Sequence, residues 1–419
     1  MTAAHTNEKQ MANQSTSLQV ELQLFDLQHS GELVQSELSD PAKSPDSSEF
    51  TYSSELTIDP HQGHHHDARR ILDVHTIYME PQVEEYARGR EILARFPDAT
   101  RIEIASHWKI PELRDNDELV SDWVKVKRHV LVLGVKKSLQ CMPYERSCDF
   151  VAPSHANGCA LSCSYCYVGR RKGAANPIST FVNIEQICGF MERHAGRQGV
   201  KTTATQADDR YWTYELGTNS DCSVDAVVSN NIKDLVALFR RVPNAKGTFA
   251  TKYVNRALLD YDPQGKTRCR FSLMPPAIAK ILDVRTSKIA DRIATINDFV
   301  EAGYEVNVNF APVVVYDGWL EAYAELFTML DDTISDRAKQ QLQAEVAFLT
   351  HNEELHEVNL NWHPKGEELI WKPDIQETKV SGTGGINLRY KRNLKRVWVD
   401  QFCALLREKL PYCGIRYAF

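Results

Sequence analysis

The stretch "HANGCALSCSYCYVGRRKG" sets Cys159, Cys163 and Cys166 at C-x3-C-x2-C spacing, with Tyr165 and Tyr167 flanking the last cysteine. Thiolates are soft ligands that suit zinc or iron–sulfur clusters. A closed structural zinc site needs four ligands, and Cys141, Cys148 and His155 lie upstream as candidates for the fourth. Three thiolates on a four-iron cluster instead leave one iron open, the kind of position that catalysis requires. Spacing alone leaves three readings open: an iron–sulfur cluster, zinc, and an unrelated group of buried cysteines.

The elements that must hold this loop alternate along the chain. "HVLVLGVKK" reads as a buried strand ahead of the cysteines, and a further short strand around "CDFVAPS" can intervene. "NIEQICGFMERHAG" reads as a helix closed by a glycine cap. "YWTYELGTNS", "GTFATKY", "RCRFSLMPP" and "YEVNVNFAPVVV" read as strands, and "VVSNNIKDLVALFRR" and "KIADRIATINDFVEAG" as helices between them. "WLEAYAELFTMLDD" and "DRAKQQLQAEVAFLTHN" are expected to be helical, and "LHEVNLNW" to be the last strand. Repeated strand–helix units predict an α/β fold on a parallel sheet, open or closed into a barrel. In such folds the strand ends gather the chemistry. Glu215, Thr218, Asn219, Ser220, Asp221, Lys252, Ser272 and Asn309 all fall at those ends and outline one face.

The 419 residues are ample for a large core, and a formal net charge of -7 gives no global sign of nucleic-acid binding. Ten cysteines are too sparse for a small disulfide scaffold. No signal-peptide run or membrane-length apolar stretch stands out, so a cytoplasmic location is expected, with no membrane partner. Residues 1–66, rich in Ser, Gln, Glu, Asp and His, read as a poorly ordered leader. Within it "SLQVELQLFDL" could form a short strand or helix, and "HQGHHHDARR" at 61–70 reads as a flexible polar linker or a weak metal binder. Residues 67–140 are expected to form an α/β segment packing on a barrel, and 141–419 the barrel with a C-terminal extension on the substrate side.

The cysteine spacing, with an aromatic residue just before the last cysteine, resembles the signature of the radical S-adenosylmethionine (SAM) enzymes. Within that superfamily the chain resembles the spore photoproduct lyases, DNA repair enzymes that split the thymine dimer formed by ultraviolet light in spores. "GCALSCSYCYVG", "SHWKIPEL", "HVLVLGVKKSL", "TFVNIEQI" and the long block from "RCRFSLMPP" to "DGWLEAY" all carry the likeness, which runs from about residue 75 to 400. The resemblance implies a partial (β/α)6 barrel of the TIM type. It implies a [4Fe–4S] cluster on Cys159, Cys163 and Cys166, with SAM chelating the open iron. A 5′-deoxyadenosyl radical then takes hydrogen from C6 of the dimer. The implied partners are DNA bearing a thymine lesion and a reductant such as flavodoxin or ferredoxin.

By the same resemblance, Ser220 and Lys252 match residues that contact SAM, and an ammonium at Lys252 suits the cofactor carboxylate. Tyr165 and Tyr167 match family tyrosines, with Tyr167 the better placed to relay a hydrogen atom; without the family both read as packing aromatics. Arg389 and Tyr390 match an Arg–Tyr pair near the lesion. Their stretch, "NLRYKRNLKR", carries five basic residues between positions 389 and 396, a patch suited to phosphates or simply a charged surface. The family commonly has a cysteine after the second strand that returns hydrogen to the product radical. That position falls at Thr218, whose O–H bond is too strong for the task. Cys222 is the nearest thiol in sequence and the candidate donor. Two further functions remain open at this point: another radical SAM reaction on a different substrate, and a non-catalytic, metal-stabilised nucleic-acid-binding module.

Overall fold

The computed structural model describes residues 71–108, 110, 113, 120–166, 168, 177–380 and 386–419. The expected leader, with its two quoted segments, and Tyr167 lie outside the described residues.

In chain order the strands are β1 (Thr76–Met79), β2 (Thr100–Glu103), β3 (Val130–Gly134), β4 (Met142–Pro143), β5 (Phe150–Val151), β6 (Ala156–Asn157), β7 (Ser162–Cys163), β8 (Ile178–Phe181) and β9 (Trp212–Glu215). They continue with β10 (Ala245–Thr251), β11 (Thr267–Ser272), β12 (Asp283–Val284), β13 (Glu305–Val313), β14 (Gln343–Phe348), β15 (Thr350–His351), β16 (Gln376–Val380), β17 (Ile386–Tyr390) and β18 (Gly414–Ala418). The large sheet runs β18-β14-β13-β11-β10-β9-β5-β4, and every pairing from β5 to β18 is parallel. The parallel strands from β5 to β14 with their intervening helices make a curled sheet, a partial barrel of the expected kind. A second sheet, β2-β1-β3-β8-β6, stands beside it. β6 and β8, from beyond residue 140, thus pair within a sheet begun by the preceding segment.

The alternation that builds the barrel is legible residue by residue. On β11, Cys269 and Phe271 enter the main apolar core, while Arg268, Arg270 and Ser272 take the other face. On β13, Val306, Val308 and Phe310 alternate in the same way with Glu305, Asn307 and Asn309. The outer face packs on helices such as Asn231–Arg241, Ile289–Glu301, Trp319–Thr333 and Arg392–Lys409. Gly303, at φ 91°, follows the helix Ile289–Glu301 and lets the chain turn into β13.

The opposite face holds buried charge in two groups. Arg270 pairs with Glu215 and lies 2.7 Å from Glu345, which also takes Arg416 at 2.9 Å and the Tyr417 hydroxyl at 2.9 Å. Below it Lys246 lies 2.7 Å from Asp208, Arg268 lies 3.1 Å from Asp208, and both cations pair with Glu305. Buried ions of this kind are tolerated because each has a partner.

Several expectations are corrected. "HVLVLGVKK" supplies β3 of the second sheet; the first strand of the barrel is the two-residue β5 within "CDFVAPS". "DRAKQQLQAEVAFLTHN" is helical only over Asp336–Lys339, and its "QAEVAF" is β14. "LHEVNLNW" lies in the helix Glu353–Trp362, whose cap Asn352 accepts from the Leu355 N–H at 3.0 Å. "VVSNNIKDLVALFRR" is broken at Ser229 into Cys222–Val228 and Asn231–Arg241. The helix Ile184–Gln198 ends at Gly199 rather than at Gly196.

Candidate active site

The cysteine loop leaves β6 and is pinned on both sides. Gly158 donates to the Asn219 carbonyl at 2.9 Å, Lys127 Nζ to the Cys159 carbonyl at 2.9 Å, and Arg285 Nε to the Ala160 carbonyl at 3.0 Å. Cys163 then joins β12 opposite Asp283. The Ser164 N–H donates to the Leu282 carbonyl at 2.9 Å, and the Cys166 N–H to the Cys163 carbonyl at 3.1 Å. Burial pushes the thiols of Cys159 and Cys163 well up from their usual range, and the neighbouring Cys166 adds to both. The three sulfurs therefore share one electrostatic neighbourhood.

Two observations test which group this donor set fits. A tetrahedral zinc with bonds of about 2.3 Å draws its thiolates to within about 4 Å of each other. Among the described residues, the three groups of ligand atoms lying within 4.8 Å of one another include none of these cysteines. The upstream candidates are engaged elsewhere: His155 meets Asp225 at 2.9 Å, and Cys141 and Cys148 are buried in other surroundings. With those candidates engaged, the three thiolates suit an iron–sulfur cluster that leaves one iron open.

Lys252 stands at the end of β10, with its ammonium 5.5 Å from the centre of the Tyr165 ring, inside the loop. The Tyr165 hydroxyl donates to Asp283, and Arg292, fully buried, holds the other carboxylate oxygen at 2.9 Å and the Ser272 carbonyl at 2.7 Å. The backbone of Lys252 is fixed by Asp221, whose Oδ2 accepts its N–H at 2.9 Å. The Oδ1 of Asp221 accepts from the Thr251 hydroxyl at 2.7 Å and caps the helix Cys222–Val228 through Ser223 and Val224. Ser220, one residue earlier, donates to Asp225 at 2.6 Å. At the same strand ends Ser272 Oγ and Asn309 Oδ1 are buried without a hydrogen-bond partner, two orphaned polar atoms of the kind that a bound polar group would satisfy.

Cys163, Tyr165, Lys252 and Ser220 therefore gather at one end of the barrel, around Asp221 and Asp283. Cys222 is buried as the first residue of its helix, in the main core beside His155 and Asp225. Arg389 and Tyr390 lie apart on β17, in the antiparallel group β15-β17-β16. The Tyr390 ring is buried and its oxygen accepts the Val315 N–H at 2.9 Å. Arg389 belongs to a cationic cluster: burial, then Arg389, Lys379 and Arg146, bring the Lys395 ammonium down to about 8. Arg146 and Lys395 also share the Phe419 ring, at 4.0 and 5.4 Å.

The family model described as spore photoproduct lyase matches residues 73–418. The chain belongs to the spore photoproduct lyase family. That is a family of radical SAM enzymes. The spore photoproduct lyase of Bacillus subtilis (strain 168) is 27% identical over 278 residues, covering 64% of this chain and 76% of that protein. The Clostridium acetobutylicum lyase is 24% identical over 338 residues, covering 75% and 96%. Among solved structures, a spore photoproduct lyase complexed with dinucleoside spore photoproduct superposes with a TM-score of 0.74 at 22% identity, over 83% of this chain and 99% of that one. A mutant with bound AdoMet and the same dinucleoside gives 0.75. These structures share the fold described above.

Sequence reasoning missed Asp283, Arg292 and the capping and bridging role of Asp221. Arg292 had a signal: it lies three residues after Ile289 and one before Ile293, on the apolar face of its helix. A charge placed there needs a buried partner.

Proposed function

We propose that this chain is a SAM-dependent radical lyase that reverses the spore photoproduct, a thymine dimer in DNA, to two thymines. The observation that carries it is the meeting of the cysteine loop and Lys252 across Tyr165, in a chain of this family. When bound, a [4Fe–4S] cluster on Cys159, Cys163 and Cys166 would supply the electron that opens the cofactor sulfonium to a 5′-deoxyadenosyl radical.

The protein's own part is placement. Lys252 offers an ammonium for the cofactor carboxylate, on a backbone locked by Asp221. Ser220 keeps acceptor capacity on its hydroxyl while donating to Asp225. Asp283 and Arg292 fix the Tyr165 ring as a wall between loop and barrel. A primary carbon radical is indiscriminate, so this alignment in a buried site selects the bond that reacts. Tyr167 and Cys222 are the candidates for relaying and returning hydrogen. Arg389 and Tyr390 are the candidates for the lesion, and the cations around Lys395 suit DNA phosphates. A flavodoxin or ferredoxin is the proposed electron source. Ten free cysteines suit a reducing cytoplasm, and no helix among the described residues is long and apolar enough to cross a membrane.

The test is the reconstituted protein with SAM, reductant and a synthetic dinucleotide lesion, read by mass spectrometry. Thymine and 5′-deoxyadenosine are expected. Cofactor cleavage with an intact lesion would move the chain to another radical SAM reaction. Bound zinc without iron or sulfide would leave only the non-catalytic reading.

A further inference from the structure

Away from the barrel mouth, three side chains converge behind the cysteine loop. His351 ends β15, His356 lies in the helix Glu353–Trp362, and Glu367 lies in the following helix, Pro364–Ile370. His351 Nε2 is 2.8 Å and His356 Nδ1 is 2.5 Å from the same oxygen, Glu367 Oε1. All three ligand atoms fall within 4.8 Å of one another. We infer that His351, His356 and Glu367 form a second metal site, for a borderline divalent cation of the zinc class.

The donor set is the first argument. Two imidazoles and one carboxylate are a known ligand set for such cations, and they leave a position for water. Burial is the second. The side chains of His351 and Glu367 are 0% and 4% exposed, whereas His356 is 21% exposed, so the group opens to solvent on one side only. The third is outer support for the carboxylate and packing around the two rings. Asn359, fully buried, donates to the free carboxylate oxygen, Glu367 Oε2, at 2.8 Å. Trp371 stacks on His356 at 3.7 Å and meets His351 edge-on at 5.6 Å, which fixes both rings.

The site is tied to the cysteine loop by one amide. Asn359 Nδ2 also donates to the Ser164 carbonyl at 2.7 Å, between Cys163 and Tyr165. Gly366, beside Glu367, leaves no slack: a Cβ there would lie 3.1 Å from the Ser164 side chain. A cation on Glu367 therefore stiffens the segment that carries two of the loop's cysteines.

The experiment titrates Zn²⁺ alone into full-length protein with its cluster intact, by calorimetry, with Co²⁺ as the spectroscopic probe. The background carries His61→Ala, His64→Ala, His65→Ala and His66→Ala, which removes the other histidine-rich segment. One zinc per chain beyond the cluster iron is expected, with cobalt bands of a nitrogen–oxygen site. Asn359→Ala should weaken binding by about 10- to 100-fold, the usual cost of an outer partner, and Glu367→Gln by more. Glu367→Gln keeps an oxygen that can accept from both imidazoles, so it separates metal binding from a plain hydrogen-bonded triad. His356→Ala, at a partly exposed position, gives a second variant if Glu367→Gln fails to fold. Zinc lost entirely with the four leader histidines would overturn the proposal. So would affinity unchanged in Glu367→Gln or His356→Ala.

Discussion

Asp221 is the residue whose replacement couples structure to chemistry most directly. Its two carboxylate oxygens take four donors: the N–H groups of Ser223 at 3.0 Å and Val224 at 3.3 Å, the Thr251 hydroxyl at 2.7 Å and the Lys252 N–H at 2.9 Å. Burial raises its carboxyl above the usual range, although the Lys252 N–H and the Thr251 hydroxyl pull the other way. Asp221→Asn keeps an oxygen at the helix cap but turns an NH₂ toward the Lys252 N–H, so two donors face each other. A hydrogen bond to a charged group contributes about 1.5–3 kcal/mol, and a lost bond at a buried donor costs about the same. Asp221→Asn should therefore cost about 3 kcal/mol in denaturant unfolding. Thr251→Val removes one of the four partners and should cost about 1 kcal/mol. The freed Lys252 backbone no longer presents its ammonium, so affinity for SAM should fall at least about tenfold, equivalent to about 1.4 kcal/mol. Calorimetric titration of SAM into the folded variant measures this. Stability within about 0.5 kcal/mol of the parent, together with unchanged SAM affinity, would refute the reasoning.

Lys252→Ala should lower SAM affinity by about tenfold or more while denaturant stability changes by less than about 1 kcal/mol; equal affinity would return Lys252 to a packing role against Tyr165. Replacing Cys159, Cys163 or Cys166 by Ala should abolish both iron retention and cofactor cleavage, read by metal analysis and by 5′-deoxyadenosine yield; near-normal cleavage in any one would remove that cysteine from the ligand set. Cys222→Ala, assayed on the dinucleotide lesion, should give misquenched adducts with cofactor cleavage intact if Cys222 returns the hydrogen; unaltered product would exclude it. Asp208 tests the ion group in the barrel by pH. Burial alone would raise its carboxyl, but Lys246 and the N–H groups of Arg210 and Tyr211 outweigh it and hold it at about 2, from 3.8. A depressed carboxyl stabilises above its unfolded value, so this contribution, about 2 kcal/mol, is full above roughly pH 4 and disappears as pH falls through about 2. Asp208→Asn should flatten the acid limb of the stability curve over that window.

How much of this was legible depends on how local the signal was. The family signature around the cysteine loop and the strands β11 and β13 need only neighbours in sequence, and the family and both strands read correctly. β14 did not: "QLQAEVAFL" is rich in good helix formers, and its buried Leu342, Ala344, Val346 and Phe348 declare a strand only through their period of two. Insertion between β13 and β18 overrides the propensity. The converse holds for "LHEVNLNW". Val358, Leu360 and Trp362 alternate like a strand, yet Leu360 is 56% exposed, while Leu355 and Asn359, four apart, are the buried pair. β5 was overshadowed because two residues of ladder carry little pattern beside the apolar run of β3. Asp283 meets Tyr165 across 118 residues of chain, so no window of sequence contains that pair, whereas Arg292 lies nine residues from Asp283.

The return of hydrogen turns on one turn of chain. A hydrogen-atom donor must keep its S–H, and burial, then Asp225 and Asp221, push the Cys222 thiol well up, so it stays protonated. The donor must also reach the product radical, and here the packing works against it. Gly217, at φ 66°, sits directly over the sulfur: a Cβ there would lie 2.6 Å from Cys222 Sγ. Glycine at this position is what lets the loop carrying Thr218 close down over the thiol. Ser220, Asp221 and Asp225 tie that loop to the helix beneath it. The chain thus keeps a protonated thiol four residues after Thr218, the position to which the family resemblance assigns a cysteine. Donation by Cys222 requires the 217–221 turn to open during turnover. The chemistry of the thiol is suited to the role, and the ties that close that turn, from the Ser220 hydroxyl to Asp225 and from the Ser220 N–H to the Gly217 carbonyl, decide whether it can act.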